Sequence, residues 1–484
     1  MKSALIAGLA LLTLSLGVPA VRAETSVHDR TLRLSTIDFG YEGGLELAVE
    51  RTYSSASDHV GLFGPGWGSR YETRLVAEPD GSLVVHETGC GCSTRFLPVA
   101  GKAGTWRSTG CGVQQIKRAP LGYERQVGGG KTETFLNDGR LVRIADANGN
   151  WITLNYSAGH LASVRDNLGD SLAFVHGGDG RLERVRGGRG HEASYGFDRQ
   201  GRLVRATDAK GAEYRYGYDV DGRLVSEDGP DGSRLAAGYR DGLLASLRDG
   251  SGLRRYLGYQ GEGWRELVTM TEDPEGHGTS VTRLVRLDRK DAQGRDARWR
   301  EITSMDGRIL DTEFNDAGQP AAIRDENGRS AGFRYDPLGR LVHKDSDEET
   351  VDVAYDRRWG KIVRVERRSA GKRSWATYAY DERGNLAKAA NSDGRRLTLR
   401  NDDRGRILTI IDRGRRLDFT YGLGTKPRTI ALAGKGRIRV DYDDTGEVTK
   451  VDSDGGPTVA LQVTSMFQGL LQIVKPAAIR ISLD

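Results

Sequence analysis

The chain is poor in several residues on which common protein classes depend. Its 484 residues include only 3 cysteines and 12 prolines, and hydrophobic residues make up 37% of the total. So few cysteines exclude a disulfide-rich scaffold, and the low hydrophobic share argues against one large globular core. G-x-S-x-G, P-loop, G-x-G-x-x-G and H-E-x-x-H motifs are all absent from the sequence. Their absence removes the commonest signatures of hydrolases, nucleotide-binding proteins and zinc proteases.

The chain also has little net charge. Its 72 Lys and Arg residues and 67 Asp and Glu residues leave a formal charge of +5. Removal of residues 1–23 would take away Lys2 and Arg22 and lower this charge from +5 to +3. Such a balance gives no electrostatic reason to expect a nucleic-acid partner or binding to anionic lipid.

The first residues are typical of an export signal. Lys2 supplies a positive start, the apolar run at 4–16 is too short to span a bilayer comfortably, and Val21-Arg22-Ala23 fits a small-residue cleavage site. We therefore predict cleavage after Ala23 and no transmembrane segment in the mature chain. The expected location is secreted, periplasmic or at the cell surface.

Glycine, in contrast, is abundant and regularly spaced. It makes up 66 of the 484 residues, about twice the usual ~7% share. From Phe135 onward the turn glycines recur every 20 or 21 residues, at Gly139, Gly159, Gly180, Gly201, Gly222 and Gly242. The period fades at about 250–310, where longer segments suggest insertions, and it returns at Gly318 and ends near Gly446. Self-similarity of this kind indicates about fifteen copies of one structural unit.

The unit is clearest at 214–232, which reads YRYGYDVDGRLVSEDGPDG. An aromatic strand ends in Tyr-Asp, a glycine turn follows, and a second strand opens on Arg-Leu. Strand side chains alternate between faces, Asp can bond the turn amides, and Gly can take the left-handed position of the turn. Successive hairpins of this type predict one continuous antiparallel ribbon.

Two further stretches carry a resemblance to a known family. RTYSS at 51–55 and GLFGPGWGSRYE at 61–72 resemble the segment that begins proteins of the RHS/YD-repeat family. The units Tyr335-Asp336 with Gly339-Arg-Leu341 and Tyr380-Asp381 with Gly384-Asn-Leu386 resemble its repeats, which cover roughly 60–65% of the chain. The resemblance implies a hollow spiral shell of β-ribbon, which in many members precedes a core with self-cleaving aspartates and a C-terminal toxin held inside. About 38 residues follow Gly446, without such a core or a repeated D-P-x-G, so we expect no self-encapsulated toxin.

The predicted fold is all-β, a ribbon of YD repeats that curls into an open or partial spiral shell. The predicted divisions are a signal peptide at 1–23, a non-repetitive N-terminal β subdomain at 24–135, repeats at 136–456 and a C-terminal helix-strand cap or tail at 457–484. Fifteen two-stranded units at ~4.8 Å per strand give a ribbon about 145 Å long, or a ring about 45 Å across. A folded cargo of 100 residues, about 34 Å across, would barely fit inside. In the tail, one helical face combines four apolar residues that are expected to cap the sheet or to bind a partner: Phe467, Leu470, Leu471 and Val474.

Aromatic rings are the candidate binding residues. Phe63, Trp67 and Trp264 could stack on a ligand, but for Phe63 and Trp67 the favoured interpretation is that they are buried anchors of the glycine-rich loop. Cys111 is predicted to form a disulfide with Cys90 or Cys92, because an exported chain with three cysteines leaves one unpaired thiol.

No constellation of catalytic or metal-ligating residues emerges from the spacing along the chain. The three cysteines lack a nearby histidine for a tetrahedral metal site, and the eight histidines are scattered without ligand spacing. The segments at 146–150 and 452–455 resemble calcium loops only faintly, and their residues are typical of turns. We expect no catalytic residue, no metal and no cofactor.

These observations favour a non-enzymatic, exported repeat protein that acts as a structural scaffold or as a surface for a glycan or protein at the bacterial cell envelope. The alternative is a partial shell or carrier in a toxin or contact-competition system, holding or presenting a separately encoded effector. A third hypothesis is a hydrolase whose residues are dispersed over the N-terminal subdomain or the 250–310 region.

Overall fold

A computed structural model describes residues 22–26, 31–41, 43–87, 92–108, 114–127, 130–260, 266–272, 279–290, 296–305, 307–442 and 448–454. Over these ranges the chain is built from strands and turns, as predicted. The helical elements in the described part are two short 3₁₀ turns, at Arg70–Glu72 and Gly188–Gly190.

The N-terminal residues form a small antiparallel sheet of their own. Its strands, in the order β1-β2-β3-β6, are β1 (Arg22–Ser26), β2 (Thr31–Tyr41), β3 (Leu47–Ser54) and β6 (Trp67–Gly68). Between β3 and β6 lies the glycine-rich loop, which contains the two-residue strands β4 (Val60–Gly61) and β5 (Gly64–Pro65). Gly64 and Gly66 have φ values of 91° and 77°, so the loop requires glycine at both positions.

The rest of the described chain is one ribbon, in which each strand pairs antiparallel with the next. The strands are β7 (Arg74–Ala77), β8 (Leu83–Glu87), β9 (Cys92–Pro98), β10 (Thr105–Ser108), β11 (Gln115–Ala119), β12 (Gly122–Val127), β13 (Lys131–Leu136), β14 (Leu141–Ala145), β15 (Trp151–Ser157), β16 (His160–Asp166), β17 (Ser171–His176), β18 (Leu182–Gly187), β19 (Glu192–Phe197), β20 (Leu203–Thr207), β21 (Glu213–Tyr218), β22 (Leu224–Asp228), β23 (Arg234–Arg240), β24 (Leu243–Arg248), β25 (Arg254–Gln260), β26 (Glu266–Glu272), β27 (Thr279–Lys290), β28 (Asp296–Met305), β29 (Arg308–Phe314), β30 (Pro320–Asp325), β31 (Ser330–Tyr335), β32 (Leu341–Ser346), β33 (Thr350–Tyr355), β34 (Ile362–Ser369), β35 (Lys372–Tyr380), β36 (Leu386–Asn391), β37 (Arg396–Asn401), β38 (Ile407–Asp412), β39 (Arg415–Tyr421), β40 (Pro427–Leu432), β41 (Gly436–Tyr442) and β42 (Val448–Ser453).

The region in which the sequence period fades belongs to the same ribbon. Strands β25 to β28 continue the antiparallel pairing, and β27 and β28 reach 12 and 10 residues. The extra residues at about 250–310 therefore lengthen hairpins of the ribbon.

Each repeat is held by bonds that begin at its Tyr-Asp pair. Asp219 Oδ1 accepts the backbone N–H groups of Asp221 and Arg223 at 3.0 and 2.8 Å. The second oxygen of Asp219 accepts Arg223 Nε at 2.9 Å, and Gly222 has a φ of 82°. This confirms that the Asp of the unit bonds turn amides and that the Gly supplies the left-handed conformation.

A tyrosine at the end of the first strand of a unit ties that unit to the preceding one. Tyr218 OH donates to the carbonyl of Leu203 at 2.7 Å, and the guanidinium of Arg202 lies 5.2 Å from the centroid of the Tyr218 ring. A hydroxyl-to-carbonyl bond of this kind is made by Tyr156, Tyr218, Tyr239, Tyr335, Tyr355, Tyr380, Tyr421 and Tyr442. The recurring Tyr, Asp and Arg are therefore architectural residues.

The buried side chains divide the ribbon into two regions. In the proximal ribbon, β7 to β28, the core is continuous with the N-terminal sheet and extends from Leu32 to Leu284. In the distal ribbon, β29 to β42, the buried residues form three smaller clusters, centred on Phe333, Val353 and Phe419. The N-terminal sheet thus shares its core with the proximal ribbon.

The ribbon curls tightly at its start and then winds round to meet itself. Leu75 N donates to the carbonyl of Gly139 at 3.0 Å, so β7 touches the turn before β14. Farther along, Asn385 Nδ2 donates to Asn148 Oδ1 at 2.7 Å across 237 residues. The strands β15 to β35 lie between these two turns, and 21 strands at ~4.8 Å each give a circumference of about 100 Å and a diameter of about 32 Å.

The ribbon is therefore a spiral in which a later wind lies against an earlier one, and it stays open. Of the described strands, β42 has residue pairs with β41 only, and the sheet is not closed. The predicted open spiral is confirmed. One wind, about 32 Å across, is narrower than the ring about 45 Å across that was predicted from all the repeats.

Candidate functional site

The N-terminal sheet is attached to the proximal ribbon by a buried polar cluster. Arg51 on β3 donates to both oxygens of Asp38 on β2 through Nε, at 2.9 Å, and to Oδ1 through Nη2, at 2.7 Å. Both side chains are fully buried. From the ribbon, Tyr195 OH donates to Asp38 Oδ2 at 2.6 Å, and the Tyr216 hydroxyl bonds Arg51 Nη1. We call these four residues, Asp38, Arg51, Tyr195 and Tyr216, the docking cluster.

Aromatic contacts surround the docking cluster. The ring of Phe63 meets that of Tyr195 edge to face at 5.0 Å, and Trp67 meets Tyr216 in the same way at 5.0 Å. Trp67 Nε1 also donates to Tyr218 OH at 2.9 Å. Phe63 and Trp67 are 0% and 1% exposed, so in this structure both rings are core anchors and neither can stack on a ligand.

A buried carboxyl lies beside this cluster. Glu227 on β22 stands opposite Tyr216 in the strand register, is 4% exposed, and its Oε2 has no hydrogen-bond partner among the described residues. Burial raises the pKa of Glu227 to about 7, against the opposing effect of Arg51. The group can change its charge near neutral pH, yet its burial leaves it no access to a substrate.

A groove of about 620 Å³ opens next to the docked sheet. Its walls come from the glycine-rich loop, the start of β7 and the turns that precede or follow β14 to β20. The ionisable side chains along it are His59, Glu72, Arg74, Arg140, His160, His176, Asp179 and Arg181. Three of the eight histidines in the chain thus meet at one place, although they are far apart in sequence.

Two of these histidines form a cross-strand pair. His160 begins β16 and His176 ends β17, and because these two strands pair antiparallel, both histidines lie at the same end of their hairpin. Their ring centroids are 4.9 Å apart with 39° between the planes. Neighbouring side chains at this cross-strand distance interact directly.

The protonation of His176 is restricted by its surroundings. Nε2 of His176 is buried and has no hydrogen-bond partner among the described residues. Burial, then the neighbouring His160, lowers the pKa of His176, while a hydrogen bond to the backbone of Phe174 opposes both. These surroundings favour the neutral imidazole of His176, while its Nε2 makes no hydrogen bond to the described residues.

The other ionisable groups of the groove have partners within the fold. His59 Nε2 lies 3.3 Å from Glu72 Oε1, and Glu72 also accepts the backbone N–H groups of Leu62 and Ser69 at 2.9 Å. Arg140 Nε donates to Asp138 at 2.8 Å. The histidine pair is therefore the part of the groove in which a buried nitrogen, Nε2 of His176, has no hydrogen-bond partner among the described residues.

Several residues singled out in the sequence lie outside the described residues. These are Trp264, Cys90, Cys111 and the four apolar residues of the tail, Phe467, Leu470, Leu471 and Val474. Cys92 lies in β9 and is exposed. The disulfide, the binding role of Trp264 and the role of the tail stay predictions.

Sequence reasoning missed both the docking cluster and the histidine pair. The cluster joins residues 157 and 165 positions apart, and no local pattern reports such a contact. The pair did leave a signal, because His160 and His176 each lie eight residues from Leu168, within the turn that joins their strands. Over the described ranges no group of three or more His, Cys, Asp or Glu is placed to hold a metal ion, and no described helix is long and apolar enough to cross a membrane.

Comparison with family models matches the two parts of the chain separately. Residues 31–92, which contain Asp38 and Arg51, match a domain of unknown function, DUF6531. Residues 197–234 and 314–350 match the RHS Repeat. The chain is an RHS/YD-repeat protein. Of its repeats, the two that match carry the Tyr218–Asp219 and Tyr335–Asp336 turns.

Solved structures with a similar fold include large toxin assemblies. A TcdB2-TccC3-Cdc42 structure aligns over 91% of this RHS/YD-repeat chain and 25% of its own, with 11% identity and a TM-score of 0.45. The Photorhabdus luminescens Tc holotoxin pore with the TccC3 mutation D651A aligns over 88% and 26%, with 12% identity and a TM-score of 0.42. The chain thus spans about a quarter of the length of these proteins. A search of curated protein sequences finds no significant match.

Proposed function

We propose that this RHS/YD-repeat protein is a non-enzymatic scaffold at the bacterial cell envelope, where its wound ribbon presents a rigid surface to a protein or glycan partner. The observation that carries the proposal is the use of the repeat side chains. The Asp, Arg and Tyr residues that could otherwise perform acid-base chemistry are bonded to turn amides, to each other and to the preceding unit. Repetition of one such network along the ribbon makes a surface of fixed curvature.

The test compares binding with catalysis on the same purified full chain. We expect binding to isolated envelope glycan or to one envelope protein, and no turnover of glycan or peptide substrates. Binding should survive His176→Asn, which alters the groove, if the partner lies on the ribbon surface. Hydrolysis of an envelope substrate that a single substitution abolishes would overturn the proposal and support the dispersed-hydrolase hypothesis.

A second candidate, a partial shell or carrier for a separately encoded effector, is favoured by the contact between Asn148 and Asn385. A wind about 32 Å across, lined by side chains, is too narrow for a folded 100-residue domain of about 34 Å. A cargo would therefore have to be an extended segment.

The carrier function predicts that one small protein co-purifies with the chain and becomes resistant to protease. The matched control is the Asp38→Ala variant, in which loss of the docking cluster should release that protection. Recovery of envelope glycan alone, with no protected protein, would reject this candidate and leave the scaffold.

A further inference from the structure

We infer that His160 and His176 form a binding site for a late first-row divalent metal ion, in the class of Zn²⁺, Ni²⁺ and Cu²⁺. The sequence predicted no metal because the histidines have no ligand spacing along the chain. The fold changes this, because the register of β16 and β17 brings the two imidazoles to 4.9 Å between centroids. Imidazole nitrogens suit this class of ions.

The state of His176 is that of a metal ligand. A ligating histidine donates its second ring N–H to a carbonyl or carboxylate, which fixes the tautomer and orients the ring. The backbone of Phe174 is a hydrogen-bond partner of the His176 ring, and the Nε2 of that ring is left without a hydrogen-bond partner in the described part of the chain. An unsatisfied buried nitrogen of this kind is costly unless something binds it.

His160 supplies the second ligand from the exposed side. Its ring lies against the turn of the next unit, with Cε1 at 3.6 Å from the position that a Cβ on Gly180 would occupy. The groove reaches the pair from outside, so an ion has a path to it.

The site has two protein ligands. No third His, Cys, Asp or Glu in the described part of the chain completes a set, so water fills the remaining positions. A structural zinc site is closed by four protein ligands. The pair therefore holds an exchangeable ion, which loading of the full chain can detect.

The test titrates Cu²⁺ and Zn²⁺ into the full chain, freed of any histidine tag, and follows binding by calorimetry and by the nitrogen couplings in the Cu²⁺ electron paramagnetic resonance spectrum. We expect one ion per chain with two coupled nitrogens. His160→Asn and His176→Asn should each weaken binding by roughly tenfold or more, the range in which even supporting residues of metal sites act. The exposed His86 provides the control, and His86→Ala should bind as the wild type does.

The variants separate ligation from folding. Asn at 176 keeps a polar side chain but has no equivalent of Nε2. His160 is exposed, so its replacement leaves the core intact. The inference is overturned if the chain binds neither ion, or if His160→Asn/His176→Asn binds both as tightly as the wild type. Loss of binding in the double variant with unchanged thermal unfolding supports it.

Discussion

The proximal and distal ribbons use the same position of the repeat in different ways. Two residues before the residue that ends the first strand of a unit, two proximal units carry Tyr195 and Tyr216, whose hydroxyls bond Asp38 and Arg51. In the distal ribbon the same position holds Tyr378, whose buried hydroxyl has no partner among the described residues, and apolar residues such as Phe333 and Phe419. Of these three tyrosine hydroxyls, the two that face the N-terminal sheet are therefore satisfied and the distal one is not.

The two regions differ in their cores for the same reason. The proximal ribbon shares one continuous cluster with the N-terminal sheet, while the distal ribbon has three separate ones. In a repeat array, stability is the sum of local units and neighbour contacts. The proximal units gain a further, non-local contribution from docking, which the distal units lack.

The largest expected effect is that of Asp38→Ala. It leaves the fully buried Arg51 without its carboxylate, and breaking a buried pair by removing one partner costs about 3–5 kcal/mol. We expect the proximal ribbon to lose hydrogen-exchange protection and the distal ribbon to keep it. Chemical denaturation measures the loss of stability, and hydrogen exchange resolved by peptide measures the protection of each ribbon.

The control for Asp38→Ala is Glu213→Ala. It breaks the exposed ion pair with Arg215, in which the two side chains are 36% and 71% exposed, and should cost under about 1 kcal/mol. Equal effects of the two substitutions, or equal loss of protection in both ribbons, would contradict the comparison.

A smaller effect is expected from the pH dependence of Glu227. Its pKa of about 7 in the folded chain exceeds the usual ~4.3 of the unfolded chain. The folded state therefore binds more protons between these values, and the free energy of unfolding falls as pH rises from about 4 to 7, by up to about 3 kcal/mol. Above about pH 7 the stabilising contribution of the protonated Glu227 is lost.

Glu227→Gln removes this ionisation. Denaturation between pH 4 and 8 should show that the free energy of unfolding declines more steeply with pH for the wild type than for Glu227→Gln. Above pH 7 the difference between the two free energies should become constant. Parallel curves over the whole range would mean that Glu227 keeps its charge state on folding.

The hydroxyl comparison itself predicts a smaller, opposite pair of effects. Tyr216→Phe removes a bonded hydroxyl and should destabilise the chain by about 1–2 kcal/mol, whereas Tyr378→Phe removes an unsatisfied one and should be neutral or stabilising. Denaturant midpoints measured on the two variants decide this. A destabilising Tyr378→Phe would show that its hydroxyl has a partner after all and would remove the distinction between the ribbons.

The parts of the structure that were predictable from sequence are the local ones. Asp219, Gly222 and Arg223 lie within five residues of one another, so their turn chemistry can be read from a single unit, and its repetition fixes the ribbon. The spiral was expected from the resemblance to RHS/YD-repeat proteins and not from the residues of the unit.

The parts that were not predictable depend on distant contacts. The sequence favoured Trp67 as an anchor but could not name its partner, Tyr218, which lies 151 residues away and accepts its N–H. The diameter of the spiral could not be obtained from the repeat count, because that count does not say which units meet. His160 and His176 could have been paired from their equal distances to Leu168, given the strand register.

The smallest expected effect tests where the winds meet, and with it whether the distal ribbon is independent of the proximal one. Asn148→Ala and Asn385→Ala each remove one partner of the amide bond between winds. If the spiral closes there, the double variant should be less destabilised than the sum of the two, with a coupling of about 0.5–1 kcal/mol. The control combines Asn148→Ala with Asn315→Ala, a substitution in a distal turn whose side-chain bonds are local. The losses of stability from these two substitutions should add. If the losses of stability add in both double variants, the ribbon does not meet itself at this point in solution. The diameter of about 32 Å, which rests on that contact, would then be wrong.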